Sequence, residues 1–398
     1  MTKTDAPMID RRGDAVSAPI AALAAFCALA VAMGIGRFAF TPLLPLMRDD
    51  IGLSVADGGW LAAANYLGYF VGAVAAVVVA PTPARAVQGG LIVTVAATGA
   101  MGIASGFAGW IALRAAAGIA SAWVFVFAAT WAGDVLTRAG RRWLNGAVFA
   151  GVGGGIALAG LATLVLARMG LPSPAIWGAL AAVAAALSVV VWVAMDGAVA
   201  PRPTAVASVR GLPAALRLCA CYAASGIGYI IPATFLPALA KELLGDATLF
   251  QWAWPVFGIA AALSTLVAGP LARAIGNVRL WIAGHIIMAV GVVLPVLVHS
   301  FVAVMASALL VGGTFMVTTL GAIGAAHDIG GDRARTLIAA MTAAFAAGQV
   351  LGPVALSAIV ASGAPGNIAW IGAALVLVAS AFALVPLRPS SNVAETKR

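Results

Sequence analysis

Twelve long apolar runs alternate with short polar interruptions along the chain, at residues 18–47, 58–80, 86–105, 107–133, 143–167, 175–195, 214–240, 249–271, 280–299, 301–325, 337–361 and 368–387. Each reaches about 20 residues or more, the length an α-helix needs to cross a bilayer. Strands of a membrane barrel would be shorter and would alternate in polarity, whereas these runs are continuous. One interruption is longer than the others. Residues 196–213 contain Asp196, Pro201, Arg202, Pro203, Arg210 and Pro213, a composition that breaks helices and reads as a linker. The pattern therefore predicts an all-α polytopic membrane protein. Its parts are a tail at 1–17, a six-helix bundle at 18–195, the linker at 196–213, a second six-helix bundle at 214–387 and a tail at 388–398.

The two bundles read as copies. Gly34-Ile35-Gly36-Arg37-Phe38-Ala39-Phe40-Thr41-Pro42-Leu43-Leu44-Pro45 recurs 192 residues later as Gly226-Ile227-Gly228-Tyr229-Ile230-Ile231-Pro232-Ala233-Thr234-Phe235-Leu236-Pro237, with five of twelve positions identical. The same offset carries Trp60 to Trp252. Six is an even number of spans, so the copies have the same orientation, the logic of parallel-repeat transporters. Spans 1 and 7 are also the pair that combine glycine and proline at matching depth. Proline removes a backbone donor and bends a helix, and in lipid such breaks persist only beside protein or a wet cavity. Interrupted spans at corresponding positions point to a transport site; two merely kinked helices are the alternative.

Composition and charge agree with this picture. The chain has 398 residues, 63% hydrophobic and 9% charged, against roughly 25% charged in soluble domains. No single soluble core buries that much apolar surface. The net charge of +9 could suggest nucleic acid, but its distribution argues otherwise. Of 22 Lys and Arg, 17 fall on the side of the termini, three on the opposite side, and two, Arg37 and Arg114, inside spans. That bias places both termini in the cytoplasm of an inner, plasma-membrane protein. Arg11 and Arg12 resemble a twin-arginine signal, but the first run is too long for a signal core. Cys27, Cys219 and Cys221 have no metal or disulfide spacing and read as small packing residues.

Few polar groups lie at membrane depth. All thirteen Asp and Glu belong to tails, loops or span ends. A charge at mid-bilayer costs at least about 2.5–3.5 kcal/mol and normally faces a cavity with a function. Arg37 lies seven residues before the outer end of span 1 and Arg114 seven residues into span 4, so both sit roughly 10 Å below the outer edge. Two cations in one layer without a carboxylate call for an anion, and the planar guanidinium fork suits a carboxylate, phosphate or sulfonate. Tyr229 replaces Arg37 in the second copy, so the basic layer belongs to one half. The structural alternatives are that Arg37 satisfies carbonyls freed by Pro42 and Pro45, and that Arg114 caps a neighbouring helix end or snorkels outward.

Asn65, Tyr66, Tyr69, Gln251, His285, Thr314, Thr318, Thr319 and Gln349 are the other interior polar groups. Most such residues hydrogen-bond between helices. His285 has the titration range for proton work but is more often a satisfied packing residue. Gly68 with Gly72, Gly151 with Gly155, and Gly348 with Gly352 form small-xxx-small pairs that let helix backbones approach. There is no phosphate-binding loop, metal-ligand cluster or nucleophile–base set. No cofactor and no bound metal are expected, and ATP drive from within this chain is excluded.

These residues resemble the major facilitator superfamily over essentially the whole chain. The motif from Gly34 to Pro45 is similar to the YbfB/YjiJ-type bacterial branch. Arg114 followed by Gly118 resembles the family's fourth-helix arginine motif, and Gly348 to Pro353 its glycine–proline element. Gly269 to Arg279 resembles the second-half loop motif, but Arg273 stands where the family has aspartate, which puts its cytoplasmic charge lock in doubt. The first-half loop motif is reduced to Arg85 after Pro81 and Pro83. The resemblance implies that spans 1, 4, 7 and 10 line a central cavity, which makes Arg37 and Arg114 neighbours and puts Tyr222, Tyr229 and Thr318 near solute.

The expectation is a monomeric secondary active or facilitative transporter working by alternating access, as symporter, antiporter or efflux carrier. Its partners are a small solute, expected to be an organic anion, and membrane lipid, not nucleic acid. Arg37, Arg114, Tyr229, Tyr222, Thr318, Asn65 and Tyr66 are the candidate substrate residues. His285, Asp134 and Asp57 are the candidate coupling groups. A non-transporting membrane sensor or scaffold is the competing reading. A membrane-embedded enzyme would need convergent titratable groups that the spans lack.

Overall fold

The structure, a computed structural model, describes residues 16–79, 81–195, 212–244, 250–330 and 334–387. Most of the linker and both tails lie outside that set. No strand occurs among the described residues. The first span is α1 (Ala18–Leu29), a π-helical stretch (Ala30–Ile35) and α2 (Phe40–Ile51). It is followed by α3 (Val55–Val78), α4 (Pro83–Ala100), α5 (Phe107–Arg138), α6 (Asn145–Arg168) and α7 (Ser173–Ala194). The second set is α8 (Leu212–Leu244), α9 (Ala253–Ile275), α10 (Asn277–Leu297), α11 (Phe301–Gly330), α12 (Ala334–Ala361) and α13 (Asn367–Leu384). Among the described residues, ten of these segments are long and apolar enough to cross a membrane by length and composition.

Local chemistry sets the ends. Ser54 and Asp57 form a reciprocal capping box at the start of α3, satisfying two backbone donors that a helix start leaves open. Gly276, at φ +87°, separates α9 from α10 in a conformation that side-chain-bearing residues avoid.

Helices α1–α7 pack largely among themselves, with α3 and α4 on α5, and α1 on α5, α6 and α7. In the second set α8 lies on α12 and α13, α10 on α11 and α13, and α9 on α11. The anticipated glycine pairs sit at these crossings. A Cβ on Gly68 would fall 2.2 Å from the Ala115 carbonyl oxygen, one on Gly151 2.3 Å from that of Phe26, and one on Gly348 2.2 Å from that of Ala223. Each helix pair is therefore in backbone contact.

The two sets meet through α2 with α8, α3 with α12, and α6 with α9. Because the segments number twelve, α1 begins and α13 ends on one face, here the terminal face; the other is the distal face. Polar contacts between the sets concentrate toward the distal face. Thr41 Oγ1 donates to the Ala233 carbonyl at 2.7 Å, and Ser357 Oγ donates to the Ala56 carbonyl at 3.1 Å. Arg48 pairs with Glu242 at 2.8 Å and Lys241 pairs with Asp49. Toward the terminal face the sets diverge around clefts. One of about 480 Å³ is lined by Phe70, Ala73 and Val126 on one side and by His327, Ile338 and Thr342 on the other.

The two copies of the repeat do not break alike. Segment 1 is interrupted: Gly36 N–H bonds to the Val31 carbonyl and Phe38 N–H to that of Met33, both five residues back, and a turn over 36–39 precedes α2. Pro42 then falls in the first turn of α2, where its missing donor costs nothing. By contrast α8 is one continuous helix of 33 residues despite Pro232 and Pro237. The expectation of matching interruptions thus holds for the first copy only. The difference lies in what receives the freed carbonyls. Arg114 in α5 does so in the first half, whereas α11, its counterpart, contains no Arg or Lys.

Candidate functional site

The interruption in segment 1 leaves the carbonyls of Gly36 and Arg37 without helical partners, and Arg114 supplies donors to both. One terminal guanidinium nitrogen donates to the Gly36 oxygen at 3.2 Å and the other to the Arg37 oxygen at 3.0 Å. Its guanidinium also lies 4.8 Å from the Phe40 ring centroid. Asn65 in α3 fixes the same region by donating Nδ2–H to the Arg114 carbonyl at 2.9 Å.

Held in this way, the Arg37 side chain crosses from the first set of helices toward the second. Its Nη2 donates to Gln349 Oε1 in α12 at 2.5 Å, and Gln349 Nε2 donates to the Tyr229 hydroxyl in α8. The guanidinium carbon lies 4.2 Å from the ring centroid of Tyr69, 4.9 Å from that of Tyr66 and 5.2 Å from that of Phe38. Tyr66 bridges the halves a second time through its hydroxyl, 2.9 Å from Thr234 Oγ1. Both arginines are 2% exposed. Each retains a buried Nε–H with no hydrogen-bond partner among the described residues, and each meets only neutral acceptors. None of the six described carboxylates is buried. The layer therefore holds two cations and no internal counter-ion, stabilised by π faces, which attract a desolvated cation by about 2 kcal/mol or more.

Behind Arg37 the rings continue. Tyr229 lies between Phe315 at 5.4 Å and Phe345 at 5.5 Å, with planes within 10° of parallel. Tyr222 stacks on the Phe345 ring at 4.5 Å. Phe345 is half-buried and is neighboured in α12 by Thr342 and Ala343, which line the terminal-face cleft.

Of the residues singled out from sequence, Arg37, Arg114, Asn65, Tyr66 and Tyr229 come together, with Tyr222 one ring beyond. Thr318 is elsewhere: its methyl packs against Gly284 of α10 and its hydroxyl returns to the Phe315 carbonyl. His285 is buried inside the second set of helices. Its Nε2 lies 3.0 Å from Trp281 Nε1, which donates toward it, and 2.6 Å from Ser225 Oγ. Asp57 is occupied in the α3 capping box on the distal side, and Asp134 is exposed near the terminal-face end of α5. That helix runs to Arg138, five residues past the apolar run. Sequence reasoning noted Gln349 as a polar residue but did not place it beside Arg37. It quoted Thr234 within the repeat without assigning it to the site, and it did not anticipate the Phe315 and Phe345 faces, since a phenylalanine in an apolar run carries no contrast.

Comparison with known proteins bears on what this architecture is. The chain is similar in structure to the nucleoside transporter NupG, crystallised as a point mutant, with a TM-score of 0.72 and 12% identity over 92% of this chain and 100% of that one. It is also similar to a bacterial homolog of the human lysosomal transporter Spinster, captured inward-facing and unoccupied, with a TM-score of 0.65 and 14% identity over 93% of this chain and 95% of that one. At such identities these matches establish the fold. No curated protein matches the chain significantly. A family profile described as "Uncharacterised MFS-type transporter YbfB" matches residues 29–385. Spanning nearly every helix, from the broken first segment to the end of the last, that match places the chain in the YbfB-type family of major facilitator superfamily transporters, a multi-pass membrane protein of a transporter family.

Proposed function

We propose that this transporter carries a small organic anion across the inner membrane by alternating access, with Arg37 as the anion contact and Arg114 as the residue that positions it. The observation that carries this reading is the bond from Arg37 to Gln349. It places the buried cation on a neutral acceptor across the junction of the two helix sets, between a distal face closed by polar contacts and a terminal-face cleft. An incoming anion offers Arg37 a charged acceptor in place of Gln349. That exchange is stronger by charge assistance and acts on a contact that holds the two sets together. A ligand shifts a conformational equilibrium only through such differential contacts. The direct test is counterflow in proteoliposomes. Labelled organic anions should exchange and neutral isosteres should not; exchange of the neutral compounds alone would overturn the anion assignment.

The charge distribution supports placing the terminal face in the cytoplasm. Reporter fusions at residue 205 and at the C-terminus should therefore read cytoplasmic, and fusions at residues 52 and 245 periplasmic. A periplasmic signal at residue 205 would break the two-half arrangement.

Coupling is proposed to be independent of any single carboxylate. Proton-driven carriers commonly bind their proton on an intramembrane Asp or Glu. Here Asp57 caps a helix, Asp134 is exposed, and the His285 Nε2 is held by Trp281. No single Asp or Glu substitution should eliminate exchange. Asp134→Asn is the sharpest case: loss of both gradient-driven uptake and counterflow, with the protein still folded, would refute the claim. Loss of gradient-driven uptake alone would make Asp134 a coupling carboxylate.

A further inference from the structure

Two arginines outside the buried layer share a cavity at the terminal face. It has a volume of about 590 Å³ and opens where the end of α5 and the start of α6 meet the end of α9 and the side of α11. Arg142 lines it from the first helix set and Arg273 from the second. Arg273 lies back along its own helix. A Cβ on Gly269, one turn earlier, would fall 3.8 Å from its Nη1, and Gly269 also lines the cavity. Asn145 and Gly146, the first residues of α6, line it as well, so the positive end of that helix adds to the field. The junction beneath is packed, with Thr265 Oγ1 donating to the Gly146 carbonyl at 3.2 Å.

No internal anion answers these charges. Among the described residues neither Arg142 nor Arg273 has an ion pair or a side-chain hydrogen bond. None of the six described carboxylates lines the cavity. Five are held elsewhere: Asp49 by Lys241, Asp50 by the Ser173 N–H, Asp57 in its capping box, Glu242 by Arg48 and Asp328 by Asn277. Asp134 is an exposed neighbour of the lining residue Gly133 without lining the cavity itself. Two cations that converge from separate helix sets call for a shared anion.

The apolar part of the wall says which kind. Leu266 lines the cavity and is 50% exposed, and Leu263, one turn nearer the middle of α9, is 60% exposed. Trp143, beside Arg142, is 75% exposed, and tryptophan concentrates at the level of lipid headgroups. Cations at one end and an open apolar stripe running toward mid-membrane suit an amphiphile, whereas free phosphate would leave the stripe unused. Basic pockets between membrane helices are the usual seats of anionic headgroups.

We propose that this cavity binds the headgroup of an anionic phospholipid from the terminal-face leaflet, its phosphate between Arg142 and Arg273 and an acyl chain along Leu266 and Leu263. The site is separate from the Arg37 layer and does not depend on what the protein carries.

The test is the melting temperature of the purified full-length protein in detergent micelles, titrated with phosphatidylglycerol, with phosphatidylcholine of the same acyl chains, and with inorganic phosphate. A ligand that binds only the folded state raises it. Phosphatidylglycerol should bind about tenfold or more tighter than phosphatidylcholine, and phosphate should give no shift. Arg142→Gln and Arg273→Gln should each weaken phosphatidylglycerol about fivefold, the weight of one basic residue near an anionic headgroup. Arg85→Gln and Arg279→Gln remove the same charge from the same face outside the cavity and should change its affinity by less than about twofold. All four arginines are exposed, so each variant should melt like the wild type before lipid is added. Equal affinities for the two lipids would overturn the proposal. So would equal losses in all four variants, which would mean general attraction to a basic face, or no loss in either cavity variant. A phosphate shift equal to that of phosphatidylglycerol would overturn the lipid assignment.

Discussion

Arg37→Ala is expected to cut solute exchange by about a hundredfold or more while leaving the protein folded in the membrane. The magnitude follows from losing two charge-assisted hydrogen bonds, each worth about 1.5–3 kcal/mol, in a site without water to replace them. The protein should tolerate the change because Arg37 is tied to one neutral side chain, Gln349, and to ring faces. Arg37→Lys should recover only a small part, since an ammonium keeps the charge and loses the fork. Arg114→Ala should differ in kind. It strips the donors from two buried carbonyls, each costing about 1–3 kcal/mol when left unsatisfied, so it should lower the melting temperature as well as transport. A third variant separates a solute site from an architectural one. Gln349→Glu places a permanent carboxylate where the proposed anion belongs. If Arg37 serves the solute, this variant should be thermally stable, with the two helix sets pinned by a buried ion pair, and should not transport. If Arg37 is architectural, Gln349→Glu should transport normally, as should Arg37→Ala, and normal rates in both would end the anion-site reading.

Much of this arrangement was legible in the sequence, for identifiable reasons. Apolar runs of bilayer length, separated by polar breaks, carry the helix count, because lipid leaves a backbone few other choices. The glycine pairs carry the helix crossings, and Arg37 and Arg114 stand out because charge at membrane depth is costly. What each arginine holds was legible only in part: capping of a neighbouring helix end was one alternative for Arg114, and its donors do go to carbonyls freed at the break in segment 1, but the partner of Arg37 was not anticipated. The repeated Gly34 and Gly226 motifs predict a break in both copies, yet only segment 1 breaks, since only α5 supplies an arginine to receive the freed carbonyls. That is a relation between residues 77 and 78 positions apart, and no local pattern encodes it. The Arg37–Gln349 contact spans 312 positions and is invisible for the same reason. Thr318 was placed near solute by the resemblance, but its side chain faces Gly284 of α10. Which face of an apolar helix meets a neighbour depends on rotation, and uniformly apolar helices give rotation no sequence signal.

The second large effect is on folding, at Gly155. This residue lies in the middle of α6 and touches segment 1 at the π-helical stretch. A Cβ at Gly155 would sit 2.3 Å from the Ala30 oxygen and 2.6 Å from the Ala30 Cα, and a Cβ at Gly34 would sit 2.3 Å from Gly155 itself. These atoms are backbone, so no rotamer change relieves the clash, and the helices must separate. Separation would withdraw segment 1 from α6 where Gly34 and Gly36 widen the helix. The turn that presents the Gly36 and Arg37 carbonyls to Arg114 would then lose its support. Gly155→Leu is thus expected to cost about 3 kcal/mol or more, beyond the usual range for overpacking, and to appear as loss of monodisperse protein on extraction and as a large fall in melting temperature. The control is Gly178→Leu. Gly178 is also in mid-helix, in α7, but is exposed, and a Cβ there meets nothing within 4 Å. Leucine should be neutral or stabilising at that site, because glycine in a helix interior is less favourable than leucine by somewhat under about 1 kcal/mol. Measuring the two variants side by side distinguishes contact from propensity. If both melt like the wild type, α6 and segment 1 are not in backbone contact in the membrane, and the support proposed for the Arg37 turn is wrong. If both fall together, glycine is needed for helix flexibility and not for close approach. Only a fall confined to Gly155→Leu fits the geometry in which a bare α6 backbone seats the broken helix that carries Arg37.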